Sequence, residues 1–154
     1  MIDDLILRKA TDLDMRNIIQ LEEDVFNIEQ QIPSALIPLP AQNYPQWWCA
    51  SLDTSIVGAV AAWKDLNRMH WGRFATRKNY RGLHIGQKLA RFSLEDLFLE
   101  GIEEIHMDAR DITVKIICGM GGKIIGKPTL FYNSNVTPVV LYRKDYYREN
   151  ALNG

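Results

Sequence analysis

The chain has 154 residues, of which 47% are hydrophobic and 24% are charged, and its formal net charge is −1. This length is sufficient for one domain with a buried core, and the small net charge argues against bulk nucleic-acid binding, which requires many phosphate-neutralising cations. No apolar run approaches the roughly 20 residues that a membrane-spanning helix needs. We therefore expect a single domain over residues 1–154 that binds neither nucleic acid nor a membrane.

The cysteines and the first residues of the chain indicate a cellular compartment. Cys49 and Cys118 are too few for a disulfide framework or a cysteine-based metal cluster, so we expect two reduced thiols and no bound metal. Asp3 and Asp4, followed by Arg8, are not typical of a signal peptide. These features predict a cytoplasmic protein.

The first third of the chain predicts a strand, a helix and an irregular loop. Residues 5–8 form a short apolar run that suits a strand. Apolar side chains then recur at helical spacing, which predicts a helix over about residues 13–30 with one buried face. These side chains are Ile18, Leu21, Val25 and Ile28. Four prolines within residues 32–45 exclude a regular helix there, and we expect this proline-rich loop to pack on the domain or to line a pocket.

The rest of the chain alternates between predicted strands and predicted helices. Short apolar runs between turn residues predict strands at residues 47–52, 56–63, 69–75, 105–109, 123–126 and 136–142. Helical spacing predicts helices over residues 87–100 and 111–120. An alternation of this kind indicates an α/β domain with a mixed sheet.

Residues 76–86, with the sequence TRKNYRGLHIG, join the strand at 69–75 to the helix at 87–100. A glycine-bearing turn in this position leaves several backbone N–H groups without helical partners, which favours the binding of phosphate oxygens. Five cationic side chains lie around the turn in the sequence: Arg73, Arg77, Lys78, Arg81 and Lys88. The turn therefore predicts a site for a small polyanion.

Four residues of this turn match the form Arg-Gly-x-Gly-Ile-Gly, a signature that occurs at a strand–helix junction. They are Arg81, Gly82, Ile85 and Gly86. With these residues and this order of elements, most of the chain resembles the GCN5-related N-acetyltransferase superfamily, in which backbone amides of the turn bind the pyrophosphate of coenzyme A. His84 replaces the usual central glycine, which requires that its backbone avoid angles open only to glycine.

The resemblance implies both a fold and a co-substrate. The fold is α/β, with a mixed, mostly antiparallel central sheet of six to seven strands flanked by about four helices, in one acyl-CoA N-acyltransferase domain. The co-substrate is acetyl-CoA or another acyl-CoA, whose pantetheine arm pairs with the strand ending at residues 74–76. The residues expected to bind it are Phe74, Ala75, Thr76, Arg81, Gly82, Leu83, His84, Ile85, Gly86, Gln87 and Asp111.

The resemblance also suggests where a catalytic acid would lie. In many members of the superfamily, the helix that begins here at Asp111 starts with Asn and carries a Tyr seven residues later, which protonates the leaving thiolate. Cys118 stands at that second position. A thiol with a reference pKa of about 8.5 can donate a proton to a thiolate, so Cys118 is a candidate acid, with a small core residue as the alternative. Tyr132 is another candidate acid.

Glu23 and His70 are the two candidates for the base that accepts a proton from the attacking amine. Glu23 lies on the polar face of the first predicted helix, where simple solvation is the alternative. His70 lies between two apolar residues, and a structural role is the alternative. His84 either binds a phosphate when its ring is protonated or caps the following helix.

The resemblance implies an N-acetyltransferase that moves an acetyl or other acyl group from acyl-CoA to an amine of a small molecule or amino acid by direct attack. The departures at His84, Asp111 and Cys118 leave one alternative, a weakly active or inactive domain of this type that binds acyl-CoA and regulates a partner protein. A homodimer is left open. The sequence indicates neither the acceptor nor the acyl chain length.

Overall fold

A computed structural model describes residues 4–151 of the chain. The two ends of the expected domain, residues 1–3 with Asp3 and residues 152–154, lie outside the described residues. At the centre of the fold is a mixed sheet of eight strands. The strands are β1 (Ile6–Lys9), β2 (Gln46–Leu52), β3 (Ser55–Asp65), β4 (Arg68–Thr76), β5 (Glu104–Arg110), β6 (Lys123–Ile124), β7 (Thr129–Phe131) and β8 (Ser134–Tyr142).

Four α-helices accompany the sheet: α1 (Met15–Glu22), α2 (Ile85–Leu99), α3 (Asp111–Gly119) and α4 (Arg143–Asn150). A π-helical segment, Glu23–Glu29, continues α1. Short 3-10 helices lie at Asp12–Asp14, Ser34–Leu36, Ala41–Asn43 and Lys78–Tyr80. The predicted α/β fold is therefore confirmed. Within residues 4–151, no helix is both long enough and apolar enough to cross a membrane.

The strands follow the order β1-β2-β3-β4-β5-β8-β6, and β7 also pairs with β8. Every pair is antiparallel except β4 with β5, which run parallel. Because consecutive parallel strands need a crossover, α2 occupies the connection between β4 and β5. The predicted mostly antiparallel sheet is confirmed, with β7 as a short eighth strand.

Each face of the sheet has its own apolar core, because alternate residues of a strand point to opposite faces. On the α2 face, the buried indoles of Trp48 and Trp71 donate hydrogen bonds to Asp96 Oδ2 (2.7 Å) and Ser93 Oγ (2.9 Å) of that helix. Such partners remove the cost of burying an indole N–H. The second core contains α1 and includes Ile18, Leu21, Val25, Phe26, Cys49, Ile56, Ala59 and Ala75.

The helix predicted over residues 13–30 is composite, and one of its predicted core residues is wrong. Ile28 is 70% exposed, whereas Gln30 is buried. The π-helical segment accommodates more residues per turn than an α-helix, so the buried face changes its sequence phase after Glu22. A strict 3.6-residue period therefore fails beyond that point.

Two elements near the end of the chain were not predicted, namely β7 and α4. The sequence of α4 is strongly polar, yet its Tyr146 is fully buried and packs on Phe98 with ring centroids 5.4 Å apart. The Tyr146 hydroxyl donates to Glu95 of α2. Tyr146 thus attaches α4 to α2, although the sequence of α4 has almost no apolar periodicity.

Candidate active site

The parallel strands β4 and β5 are paired only where they begin. Met69 lies opposite Ile105 and His70 opposite His106, and beyond these pairs the two strands separate. The separation opens a cleft with a cavity of about 160 Å³. The strand residues that line it are Trp71, Gly72, Arg73, Phe74, Met107, Asp108, Ala109 and Arg110.

The cleft is also bounded by parts of the chain outside these strands. The proline-rich loop contributes Ile32, Leu36 and Ile37, so the prediction that this loop lines a pocket is confirmed. The remaining lining residues are Phe26 and Gln30 beside the loop, Thr113 of α3, Phe131 of β7, and Ser134 and Val136 of β8. The cleft therefore contacts elements that pack on both faces of the sheet.

A β-bulge distorts β4 where it borders the cleft. Ala59 of β3 lies opposite Ala75, but Ala61 lies opposite Gly72, so two residues of β4 face one residue of β3. One of the two, Arg73, has a φ of 54°, in the left-handed region that non-glycine residues seldom adopt. A bulge interrupts the hydrogen-bond ladder and redirects side chains. Between these pairs, Arg73 and Phe74 have no paired residue on β3 in the strand register.

The turn between β4 and α2 adjoins the cleft through Phe74. A Cβ atom on Gly86 would lie 3.2 Å from Phe74 Cζ and 3.4 Å from Thr76 Oγ1, so the first turn of α2 packs closely on the end of β4. His84, at the N-cap of α2, has φ 63° and ψ 15°. These angles are left-handed but not restricted to glycine. The first N–H groups of this 15-residue helix lack partners within the helix.

Arg81 stabilises this turn from within. Its Nε donates to the Thr76 carbonyl at 2.9 Å, and its Nη1 and Nη2 donate to the Glu29 carboxylate at 2.8 and 3.1 Å. Arg81 therefore connects the turn to the π-helical segment through a two-point contact, a geometry that fixes orientation. Its side chain is not directed to an open phosphate site in this structure.

Fewer unpaired cations surround the turn than the sequence suggests. Arg77 Nη1 pairs with Asp24 Oδ2 at 2.8 Å, and Arg81 pairs with Glu29 as described. Acidic residues of the π-helical segment neutralise these cations, which the linear sequence does not reveal. Within the described part of the chain, Lys78 and Lys88 form no ion pair and remain available to an anionic ligand.

Sequence comparison agrees with this architecture. The model of the acetyltransferase (GNAT) family matches residues 14–114, which is more than half of the chain and includes the turn, the cleft strands and the start of α3. The chain belongs to the GNAT acetyltransferase family. No curated protein matches this acetyltransferase in sequence.

Solved structures with the same fold come from several bacteria. Escherichia coli ElaA has a TM-score of 0.73 at 16% identity, covering 88% of this chain and 97% of that one. An acyl-CoA N-acyltransferase from Pseudomonas aeruginosa has a TM-score of 0.73 at 14% identity, covering 89% and 97%. A GNAT-family acetyltransferase from Streptococcus pneumoniae has a TM-score of 0.73 at 16% identity, covering 90% and 98%. At these identities the similarity establishes the fold alone.

Asp111, predicted to bind acyl-CoA, and the two candidate acids, Cys118 and Tyr132, lie outside the cleft lining. Asp111 is the exposed first residue of α3, and Cys118 is partly buried near its end. Burial raises the pKa of the Cys118 thiol, which favours its neutral form. Tyr132 follows β7 and is 45% exposed. Of the described residues, those lining the cavity of this acetyltransferase include Thr113 and Phe131 but none of these three.

The two candidate bases also lie beside the cleft rather than in its lining. Glu23 accepts a hydrogen bond from Ser34 Oγ at 2.9 Å and so connects the π-helical segment to the proline-rich loop. His70 is the last paired residue before β4 leaves β5, and its ring stacks on Trp63 with centroids 6.0 Å apart. Both contacts attach the candidate bases to neighbouring elements of the fold.

The structure adds Glu22, which the sequence analysis did not select, and it places Arg73, predicted as a cation of the turn, in the lining of the cleft. Glu22 is 2% exposed, and neither of its carboxyl oxygens has a hydrogen-bond partner among the described residues. Burial raises the pKa of Glu22 well above its usual value, and the positive charge of Arg73 opposes that rise. A signal existed in the sequence, because Glu22 follows Ile18 by four positions and therefore lies on the apolar stripe of α1.

Proposed function

We propose that this acetyltransferase transfers an acyl group from acyl-CoA to the amine of a small molecule or amino acid by direct attack. The observation that carries this proposal is the cleft between β4 and β5. Phe74 connects the cleft to the turn that precedes α2, and the proline-rich loop borders it from the α1 side. Two reactants could therefore meet in it from opposite faces of the sheet.

The turn has the features that the coenzyme A pyrophosphate requires. The free N–H groups at the start of α2 would donate to its oxygens, and the helix dipole favours negative charge at this end. Gly86 permits close approach of the backbone, and Lys78 and Lys88 supply exposed cations nearby. These features fit a diphosphate without requiring the side chain of Arg81.

The bulge of β4 supports the chemical step. Acyl transfer places negative charge on the thioester oxygen, and one backbone donor held at that position typically contributes about 3 kcal/mol to transition-state stabilisation. The interrupted ladder beside Phe74 offers such donors at the border of the cleft. Glu23 and His70 remain the candidates for accepting the amine proton, directly or through water.

Thiol release tests the proposal. Acetyl-CoA is incubated with the full chain and a panel of small amines and amino acids, and free coenzyme A is measured with a thiol reagent. We expect turnover with at least one amine above the rate in buffer alone. If acetyl-CoA raises the melting temperature and no amine releases thiol, the result contradicts the proposal and favours a regulatory acyl-CoA-binding domain. If there is neither binding nor release, both functions are excluded.

A further inference from the structure

The guanidinium of Arg73 lies where the proline-rich loop borders the cleft and is held there by three contacts. Its Nε donates to the Ile37 carbonyl at 2.8 Å and its Nη2 to the Leu36 carbonyl at 3.3 Å. Its Cζ lies 5.4 Å from the centroid of the Trp63 ring. Arg73 is thus fixed between the proline-rich loop and the sheet, while Nη1 has no hydrogen-bond partner among the described residues.

The charge of Arg73 is not neutralised by a direct ion pair. Within residues 4–151 the ion pairs do not include this guanidinium. Burial lowers the pKa of Arg73, and the charge of Glu22 opposes that change. Glu22 is buried and does not line the cavity, so a ligand in the cavity would contact Arg73 and not Glu22. A partly desolvated guanidinium with a free donor is a favourable partner for an anion.

The opposite wall of the cleft completes the charge pattern. Arg110 of β5 lines the cavity, with its Nε donating to Ser134 Oγ at 3.0 Å. Asp108 of β5 is the residue with a carboxylate among the described lining residues. The lining thus carries two cations and one anion, which matches a small molecule that has both an ammonium and an anionic group. A cavity of about 160 Å³ is of the order that encloses a benzene-sized molecule.

We propose that the acceptor is a small amine that also carries a carboxylate, and that Arg73 binds this carboxylate through Nη1. The inference rests on the proposed transfer to an amine and narrows its substrate class. Arg110 adds a second positive charge at the rim, and Asp108 attracts the ammonium before it loses its proton. An acceptor amine without a carboxylate leaves the charge of Arg73 without a partner, and such a mismatch weakens binding.

The test compares matched acceptors in the full-length enzyme with acetyl-CoA. Each amino acid is paired with its own amide, for example alanine with alaninamide and serine with serinamide, and thiol release gives kcat/KM for each. The amide has the less basic amine, so a preference for the acid does not arise from amine protonation. We expect at least one pair in which the acid exceeds the amide by tenfold or more in kcat/KM.

Variants of Arg73 identify the group responsible. In Arg73→Gln, KM for the acid should rise at least tenfold while the kinetics with the amide stay within twofold, and Arg73→Lys should recover part of the preference. Arg68→Gln, at the exposed start of the same strand, is the control and should change neither substrate. Retention of the acetyl-CoA-induced shift in melting temperature shows that each variant is folded.

Three results would overturn the inference, and they differ from one another. Equal kcat/KM for acid and amide in every pair excludes carboxylate recognition while leaving amine acetylation intact. An equal loss for both substrates in Arg73→Gln and Arg73→Lys assigns Arg73 a structural role only. Absence of thiol release with every amine removes the proposed function, and this inference with it.

Discussion

Glu22 is a buried acid without a partner, which is an unfavourable position for an ionised carboxylate. Both oxygens lack hydrogen bonds among the described residues, and the opposing charge of Arg73 is not in direct contact. The folded state therefore holds the Glu22 proton more tightly than the unfolded chain does. Above the pKa of Glu22 in the unfolded chain, near 4.5, each increase in pH lowers the free energy of unfolding until Glu22 also ionises in the folded state.

The first prediction concerns the substitution Glu22→Gln, which keeps the shape and removes the ionisation. We expect the wild-type protein to lose stability relative to the variant as pH rises from about 4.5 through neutrality, because the unfolded wild-type chain then ionises Glu22 while the folded protein still holds the proton. While this difference in protonation lasts, the difference in stability should grow by about 1.4 kcal/mol per pH unit. Urea unfolding at pH 5 and pH 8 measures it. A difference independent of pH would show that folding does not raise the pKa of Glu22.

The second prediction concerns Gly86, whose missing side chain allows α2 to pack on β4. In Gly86→Val, the new Cβ meets Phe74 Cζ at 3.2 Å and its methyl groups extend further, so the first turn of α2 must move. We expect the dissociation constant for acetyl-CoA to rise about tenfold, or 1.4 kcal/mol. Calorimetric titration measures this change. Gly119→Val is the matched control, because a Cβ there meets no atom within 4 Å. Equal effects of the two substitutions would contradict the prediction.

The third prediction concerns Cys118, whose position on α3 resembles that of a catalytic acid. Its thiol is partly buried, has a raised pKa and lies outside the cavity lining. We therefore expect Cys118→Ala to keep kcat within about threefold of the native value, less than 1 kcal/mol in activation free energy. Thiol-release kinetics at saturating substrate measure kcat. A hundredfold loss with an unchanged melting temperature would show that Cys118 donates the proton.

At the scale of elements, the contact between the turn and the π-helical segment explains why Arg81 matters without touching a ligand. The Arg81–Glu29 pair is partly exposed, with side chains 42% and 30% accessible, so its direct contribution to stability is under about 1 kcal/mol. Its two-point geometry and the bond to the Thr76 carbonyl instead fix the path of the turn. The turn is thus shaped by the segment that follows α1.

The fourth prediction distinguishes a role of Arg81 in fixing the path of the turn from direct phosphate binding. If Arg81 acts through Glu29, then Arg81→Gln and Glu29→Gln should weaken acetyl-CoA binding by the same factor, about threefold, and the double variant should be no weaker than either. If Arg81 binds phosphate directly, Glu29→Gln should leave binding unchanged or improve it by releasing the guanidinium. Titrations of the three variants at one ionic strength decide between these outcomes, because screening affects exposed charges.

At the scale of the whole molecule, the parts that the sequence predicts are those governed by local patterns. Strands β2 to β5 follow short apolar runs between turn residues, and α2 follows a helical period that ends before Gly101. The turn before α2 can be recognised in the sequence because glycine is the residue that most readily adopts the backbone angles of such a turn. These elements include both strands of the cleft and the turn beside it, so the location of the site follows from the sequence.

The residues that the sequence did not predict depend on contacts between distant segments. Arg73 seemed to belong to the cationic cluster of the turn, but the bulge opposite Ala59 and Ala61 directs its guanidinium to carbonyls of the proline-rich loop. Neither the bulge nor the pairing of Arg81 with Glu29 has a local signature. The prediction that Ile28 is buried was wrong for a related reason, because the π-helical segment departs from the 3.6-residue period on which the prediction depended.

The last prediction concerns how ligand binding stabilises the whole domain. The turn belongs to the connection between β4 and α2, two elements of the central core, so occupation of its N–H groups should oppose global unfolding rather than local opening. At 100 times its dissociation constant, a ligand of the native state adds about 2.7 kcal/mol, which corresponds to about 5–10 °C in a domain of this size. Differential scanning fluorimetry with acetyl-CoA measures the shift.

Fragments of the co-substrate locate the source of this stabilisation. Coenzyme A retains the pyrophosphate and should give most of the shift when compared with acetyl-CoA at the same concentration. Pantetheine lacks the pyrophosphate, so at concentrations that saturate coenzyme A it should give little, because the backbone donors of the turn remain empty. The shift with coenzyme A should also shrink in Gly86→Val. A full shift with pantetheine would mean that β4, and not the turn, holds the co-substrate.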